Sequence, residues 1–118
     1  MKAPVKDDRL YLIHILECAG RIESYTRGGR EAFMASPMVQ DAVIRNFEII
    51  GEAVKRVSEQ VKEKRSDVRW RAIAGLRDIL IHQYMGVDLE AVWDVVEQDL
   101  PVLKRAVAEI LDALQQDL

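Results

Sequence analysis

Residues 43–61 read VIRNFEIIGEAVKRVSEQV, and their apolar side chains decide the fold class. Val43, Phe47, Ile50, Val54, Val57 and Val61 follow one another at steps of four and three, the spacing of one face of an α-helix. A strand would need alternation at every second residue, and no stretch of the chain carries it. Arg45, Glu48, Glu52, Lys55, Arg56 and Glu59 fall mostly on the opposite side. The segment therefore predicts one long amphipathic helix running through Val61.

The same rhythm extends outward in both directions. Ser36 before Pro37 is an N-cap with proline at the first helical position, so the long helix starts there. Tyr11, Ile15, Cys18, Ile22 and Tyr25 form the stripe of an earlier helix that ends at a turn, TRGGR, over 26–30. Downstream, Asp67 is placed to cap a third helix that stops by Gly86, and Asp88 to cap the next. Leu89, Trp93, Val96, Leu100, Leu103, Val107, Ile110 and Leu114 then keep phase through Pro101, which implies a kinked helix or two helices with almost no loop between them. The expected fold is all-α: an up-and-down bundle of four to five helices with short loops, one domain over 1–118.

Composition agrees. A chain of 118 residues with 49% hydrophobic and 31% charged residues, 3 prolines and 6 glycines has the balance of a single folded domain. One cysteine excludes an internal disulfide and fits a reducing compartment. No apolar run approaches the roughly 20 residues that span a bilayer, and the polar start KAPVKDDR lacks the apolar core of a signal peptide, so a cytoplasmic location without membrane partners is expected. Seventeen basic residues against 20 acidic give a net charge of −3, which writes no general attraction to nucleic acid into the chain. DNA is not an expected partner, and any RNA contact must be local.

The stretch GLRDILIHQYMG at 75–86 carries the chemistry. As a helix it gathers Trp70, Ile73, Ala74, Leu76, Leu80, Ile81 and Tyr84 into an apolar arc, with Arg77 at its middle. An always-charged guanidinium there must meet a carboxylate, an interface or an anionic ligand. Asp78 and His82 are four apart, so the carboxylate can orient the imidazole; Arg77 and Tyr84 are seven apart on neighbouring turns. A cation, a titratable base with its own carboxylate, and a phenol suit attack of a ribose 2′-hydroxyl on the adjacent phosphate of RNA, without a metal. Positions 77 and 82 lie about 140° apart on a regular helix. Their side chains converge only if the helix end deforms near Ile81 or if two copies face each other across a dimer.

Other candidates are weaker. His14 and Cys18 are four apart on the first helix, yet no second ligand pair accompanies them, and both sit on or beside the apolar stripe, which favours core packing over a metal. The glycines of TRGGRE follow no strand and precede no Lys-Ser or Lys-Thr, so they read as a plain turn. KEKR at 62–65 reads as a solvated helix end with a possible auxiliary role in holding RNA. Trp70 and Trp93 read as core or interface residues.

The blocks RLYLIHILE at 9–17, IESYTRG at 22–28, AVIRNFEIIGEAVKRVS at 42–58, WRAIAGLRDILIHQYMGVDLEAVW at 70–93 and DLPVL at 99–103 resemble, in order and spacing, the HepT-like toxins of the HEPN superfamily. The resemblance runs from about Asp8 to about Leu114 and implies a HEPN-like helical bundle, a homodimer and metal-independent endoribonuclease activity. The family motif, an arginine, four residues, a histidine, one residue and a tyrosine, falls on Arg77, His82 and Tyr84. The resemblance further implies a catalytic site at the dimer interface and a nucleotidyltransferase-fold antitoxin of the MNT type, which neutralises the toxin by transferring AMP to the motif tyrosine, here Tyr84. Asp78 stands where the family most often has asparagine, and an acid there favours the charged histidine and slightly repels phosphate. The competing reading is a non-catalytic helical module that binds a nucleotidyltransferase partner, with Arg77 in a structural ion pair.

Overall fold

The computed structural model describes residues 5–82 and 88–116, without the side chains of 5–7 and 77–82. All regular structure among them is helical: α1 Val5–Tyr25, α2 Gly29–Ala35, α3 Pro37–Arg56, α4 Glu59–Glu63, α5 Trp70–His82, α6 Leu89–Asp94, a π-helical turn Val95–Asp99, and α7 Leu100–Gln116. The all-α bundle expected from the sequence is what forms. Four long helices, α1, α3, α5 and α7, make its body, with α3 lying between α1 and α5 and α7 packing on α1. No described helix is long and apolar enough to cross a membrane.

The stripes read from the sequence make the core. Ile15, Cys18 and Ile22 of α1, Val43, Phe47, Ile50 and Val54 of α3, and Leu100, Leu103 and Val107 of α7 are all buried. Each fully buried Ile, Leu or Phe contributes about 1.5–3 kcal/mol of transfer free energy, which is what holds helices of unremarkable propensity together. Tyr25 departs from its stripe and is exposed, because α1 ends there.

Ser36 caps α3 as expected, its Oγ accepting from the Val39 N–H at 3.2 Å. The turn over 26–30 is shorter than expected. Gly29 takes φ +88°, which a residue with a Cβ adopts only under strain, and α2 starts at once. Phe33 buries α2 and lies 5.4 Å, centroid to centroid, from the Trp93 ring of α6. A helix of seven residues presents too few turns to show a period.

The long helix does not run through Val61. It stops at Arg56, Val57 takes an extended conformation, and α4 begins at Glu59. The reason lies across the chain: the buried Asp8 carboxylate of α1 accepts from the Ser58 N–H and from its hydroxyl, both at 2.8 Å, and the Ser58 Oγ accepts in turn from the Val61 N–H. Val57 and Val61 remain buried, so the apolar stripe continues across a break that periodicity cannot reveal.

Asp67 is not the cap of α5. Its carboxylate receives two bonds from Arg65, at 3.1 and 2.9 Å, and this partner holds its pKa below the usual carboxylate value. Asp88 does cap α6, accepting from the Ala91 N–H. At Pro101 the chain passes from α6 to α7 without a loop. Proline has no N–H for the Glu97 carbonyl and its ring crowds that oxygen, and the preceding turn widens to the π form, in which the Leu100 N–H reaches Val95.

Replacing Asp8 with alanine leaves the half-buried Ser58 N–H and hydroxyl without their acceptor at the α3–α4 elbow and should lower stability by about 1–2 kcal/mol, read as a lower urea midpoint. Asp8→Asn, which keeps an acceptor, should lose less. Equal midpoints for wild type and Asp8→Ala would contradict this assignment.

Candidate functional site

Helix α5 carries the candidate residues. Trp70 and Ile73 are buried, Ala74 and Leu76 are half-buried against the same core, and Arg71 and Ala72 are exposed. The start of the helix is fastened on three sides. The Trp70 indole N–H donates to the Arg65 carbonyl at 3.0 Å, Arg65 also pairs with Glu109 of α7, and Arg69 forms a two-pronged bond with Asp99 of the π turn, each at 2.9 Å.

That anchoring determines where the later positions fall. Position 77 is four residues after Ile73 and seven after Trp70, in the register of the buried face. Position 82 is eleven after Arg71, in the register of the exposed face. The backbone is α-helical through 81 and 82, so the separation of about 140° persists within one chain. The side chains of Arg77, Asp78, Leu80, Ile81 and His82 lie outside the described residues, as do Tyr84 and the end of the third helix at Gly86.

A family model described as ribonuclease HepT-like matches residues 15–110, all of α5 included. This chain belongs to the HepT-like ribonuclease family. A relative from Caldanaerobacter subterraneus subsp. tengcongensis, named "Putative RNase", is 44% identical over 108 residues, covering 91% of this chain and 96% of its own. A "Probable ribonuclease HepT" from Thermococcus cleftensis is 43% identical over 105 residues, 88% of this chain and 93% of its own. A "Gamma-glutamylcyclotransferase and putative RNase" of Methanocaldococcus jannaschii is 45% identical over 113 residues; this HepT-like chain spans about half of it, 51%. No solved structure matches the chain.

The alternative metal pair does not converge in this HepT-like fold. Cys18 is buried and its Sγ accepts from Arg21 at 3.8 Å, whereas His14 is exposed rather than in the core. No group of three or more His, Cys, Asp or Glu side chains among the described residues is placed to hold a metal ion. Trp70 and Trp93 are core residues, as their spacing suggests. Two features escape a reading by motif: a groove of about 700 Å³ between the end of α3, α4 and the start of α5, and the exposure of Arg71 beside it. The only trace in the sequence is the density of basic residues from Lys55 to Arg71.

Burial pushes the Cys18 thiol above its ordinary pKa, and the nearby Arg21 offsets this only in part. A thiol that is both shielded and protonated reacts slowly. Iodoacetamide at pH 8 should modify the native protein roughly tenfold or more slowly than the urea-unfolded chain, followed by intact mass. Equal rates would place Cys18 outside the core.

Proposed function

We propose that this HepT-like chain is the toxin of a toxin–antitoxin pair and cleaves RNA without a metal. The observation that carries the reading is the match of relatives named as ribonucleases over almost the entire chain, with the Arg77–His82 spacing inside the matched helix. The chemistry follows from the residue types. His82 takes the proton of a ribose 2′-hydroxyl, and the 2′-oxygen attacks the neighbouring phosphorus. As the bond from phosphorus to the 5′-oxygen breaks, the imidazolium returns the proton to that oxygen, leaving a 2′,3′-cyclic phosphate and a 5′-hydroxyl. Arg77 binds the phosphate and its growing charge through its fork, and Asp78 holds the imidazole in orientation.

A regular α5 turns positions 77 and 82 away from each other, which favours a homodimer in which Arg77 of one copy meets His82 of the other. Such an interface also gives a guanidinium in the buried register a reason to be there. Tyr84 places the substrate and is the acceptor for AMP from a nucleotidyltransferase-fold antitoxin. The added phosphate would compete with RNA for Arg77 and close the site.

Purified protein, free of antitoxin, should cut mixed cellular RNA in EDTA and leave cyclic phosphate or 3′-phosphate ends. His82→Ala should lower the rate by about 10²–10⁴-fold and Arg77→Ala by about 10²–10³-fold, with the dimer still folded. Cleavage that persists in both variants, or that EDTA abolishes, would overturn the assignment. A folded, unmodified dimer that leaves RNA uncut would be the non-catalytic partner-binding module instead.

A further inference from the structure

Residues 55–71 hold seven basic and three acidic side chains, a local surplus of positive charge in a protein whose net charge is −3. Three of the seven are engaged: Lys62 with Glu59, Arg65 with Asp67 and Glu109, and Arg69 with Asp99. Lys55, Arg56, Lys64 and Arg71 have no carboxylate partner among the described residues. Lys55 and Arg71, together with Lys62 and Arg69, line the groove at this corner and outnumber the two acids there, Glu59 and Glu63; Trp70 forms part of its wall. Cations left without internal partners around an open groove, on an otherwise acidic protein, complement a chain of phosphates.

A second observation gives the groove a direction. Gly75, one turn beyond Arg71, has no positive φ, and a Cβ built on it meets nothing within 4 Å. Neither backbone conformation nor packing among the described residues calls for glycine there, although glycine weakens a helix interior relative to alanine. Gly75 is half-buried, and bare backbone on the helix face that carries the exposed Arg71 suits close approach by something outside the chain. Positions 71, 75, 78 and 82 follow at steps of four, three and four, so they share one stripe, about 16 Å long from Arg71 to His82.

We propose that the groove at the α3–α4–α5 corner is a non-cleaving subsite for single-stranded RNA, binding the sugar-phosphate backbone and laying the strand over Gly75 toward position 82. The proposal rests on the ribonuclease reading for its choice of polyanion. Lys55 and Arg71 grip phosphates through charge, and the buried Trp70 offers no free face on which to stack a base, so the subsite reads no sequence.

The test uses a fluorescent 12-nucleotide strand of 2′-O-methyl RNA, which lacks the attacking hydroxyl and stays intact on the wild-type protein. Binding is followed by anisotropy between 50 and 200 mM salt, a range over which phosphate contacts dominate. In Lys55→Gln/Arg71→Gln, Kd should rise about tenfold and the log–log salt slope should fall by roughly 1.4, the value for two phosphate contacts on a single strand. Gly75→Gln should raise the melting temperature while weakening binding. A double variant that melts like wild type and keeps its Kd and slope would overturn the subsite and assign the basic corner to a protein partner. Cleavage of unmodified RNA is measured beside it. Wild type that cuts while binding ignores the double substitution refutes the groove alone, and wild type that never cuts while binding depends on it refutes the nuclease alone.

Discussion

Trp70 and Ile73 are buried where α5 packs along α3, and their burial sets the rotational phase of the helix that carries the motif. Once that phase is set, position 77 belongs to the inward register and position 82 to the outward one. The consequence is chemical as well as geometric. A guanidinium in an apolar register is tolerated only when something negative meets it. The proposed ribonuclease site joins the two through a second copy of the helix, so in that reading the fold of one chain and the symmetry of two become parts of the same requirement.

The fixing of α5 depends on residues far from the motif. Arg69 reaches the π turn at Asp99, Arg65 reaches α7 at Glu109, and the Trp70 indole closes on the Arg65 carbonyl. Exposed pairs of this kind contribute little to stability, commonly below about 1 kcal/mol. Their value is directional: they tie the start of α5 to the π turn and to α7. The π turn takes part because Pro101 forces a widened backbone just where Asp99 must face Arg69. The Asp8–Ser58 contact does the corresponding work at the other side, ending α3 early enough for α4 to fold back and shape the groove.

The long helices, the Ser36 and Asp88 caps and the loop-free passage through Pro101 were legible in the sequence because each depends on neighbours within a turn or two. The break at Val57 was not, since it is made by Asp8, fifty residues away, while the buried Val57 and Val61 keep the helical period intact. Asp67 looked like a cap and is held instead by Arg65. Short α2 was hidden by its length and needed Phe33 to dock on Trp93. The motif residues were legible as a pattern of types and spacings. The basic groove was not, because Lys55 and Arg71 come to line one groove only after the chain has turned at α4.

The most direct test of a site shared between two copies is to mix Arg77→Ala and His82→Ala dimers, exchange their subunits and measure RNA cleavage. Each mixed dimer then keeps one complete pairing of arginine and histidine across the two-fold axis. Cleavage should return to about a quarter of the wild-type rate, since about half the dimers are mixed and each has one of two sites intact. No recovery after exchange has been verified would place both residues of a site on the same chain and contradict the shared site.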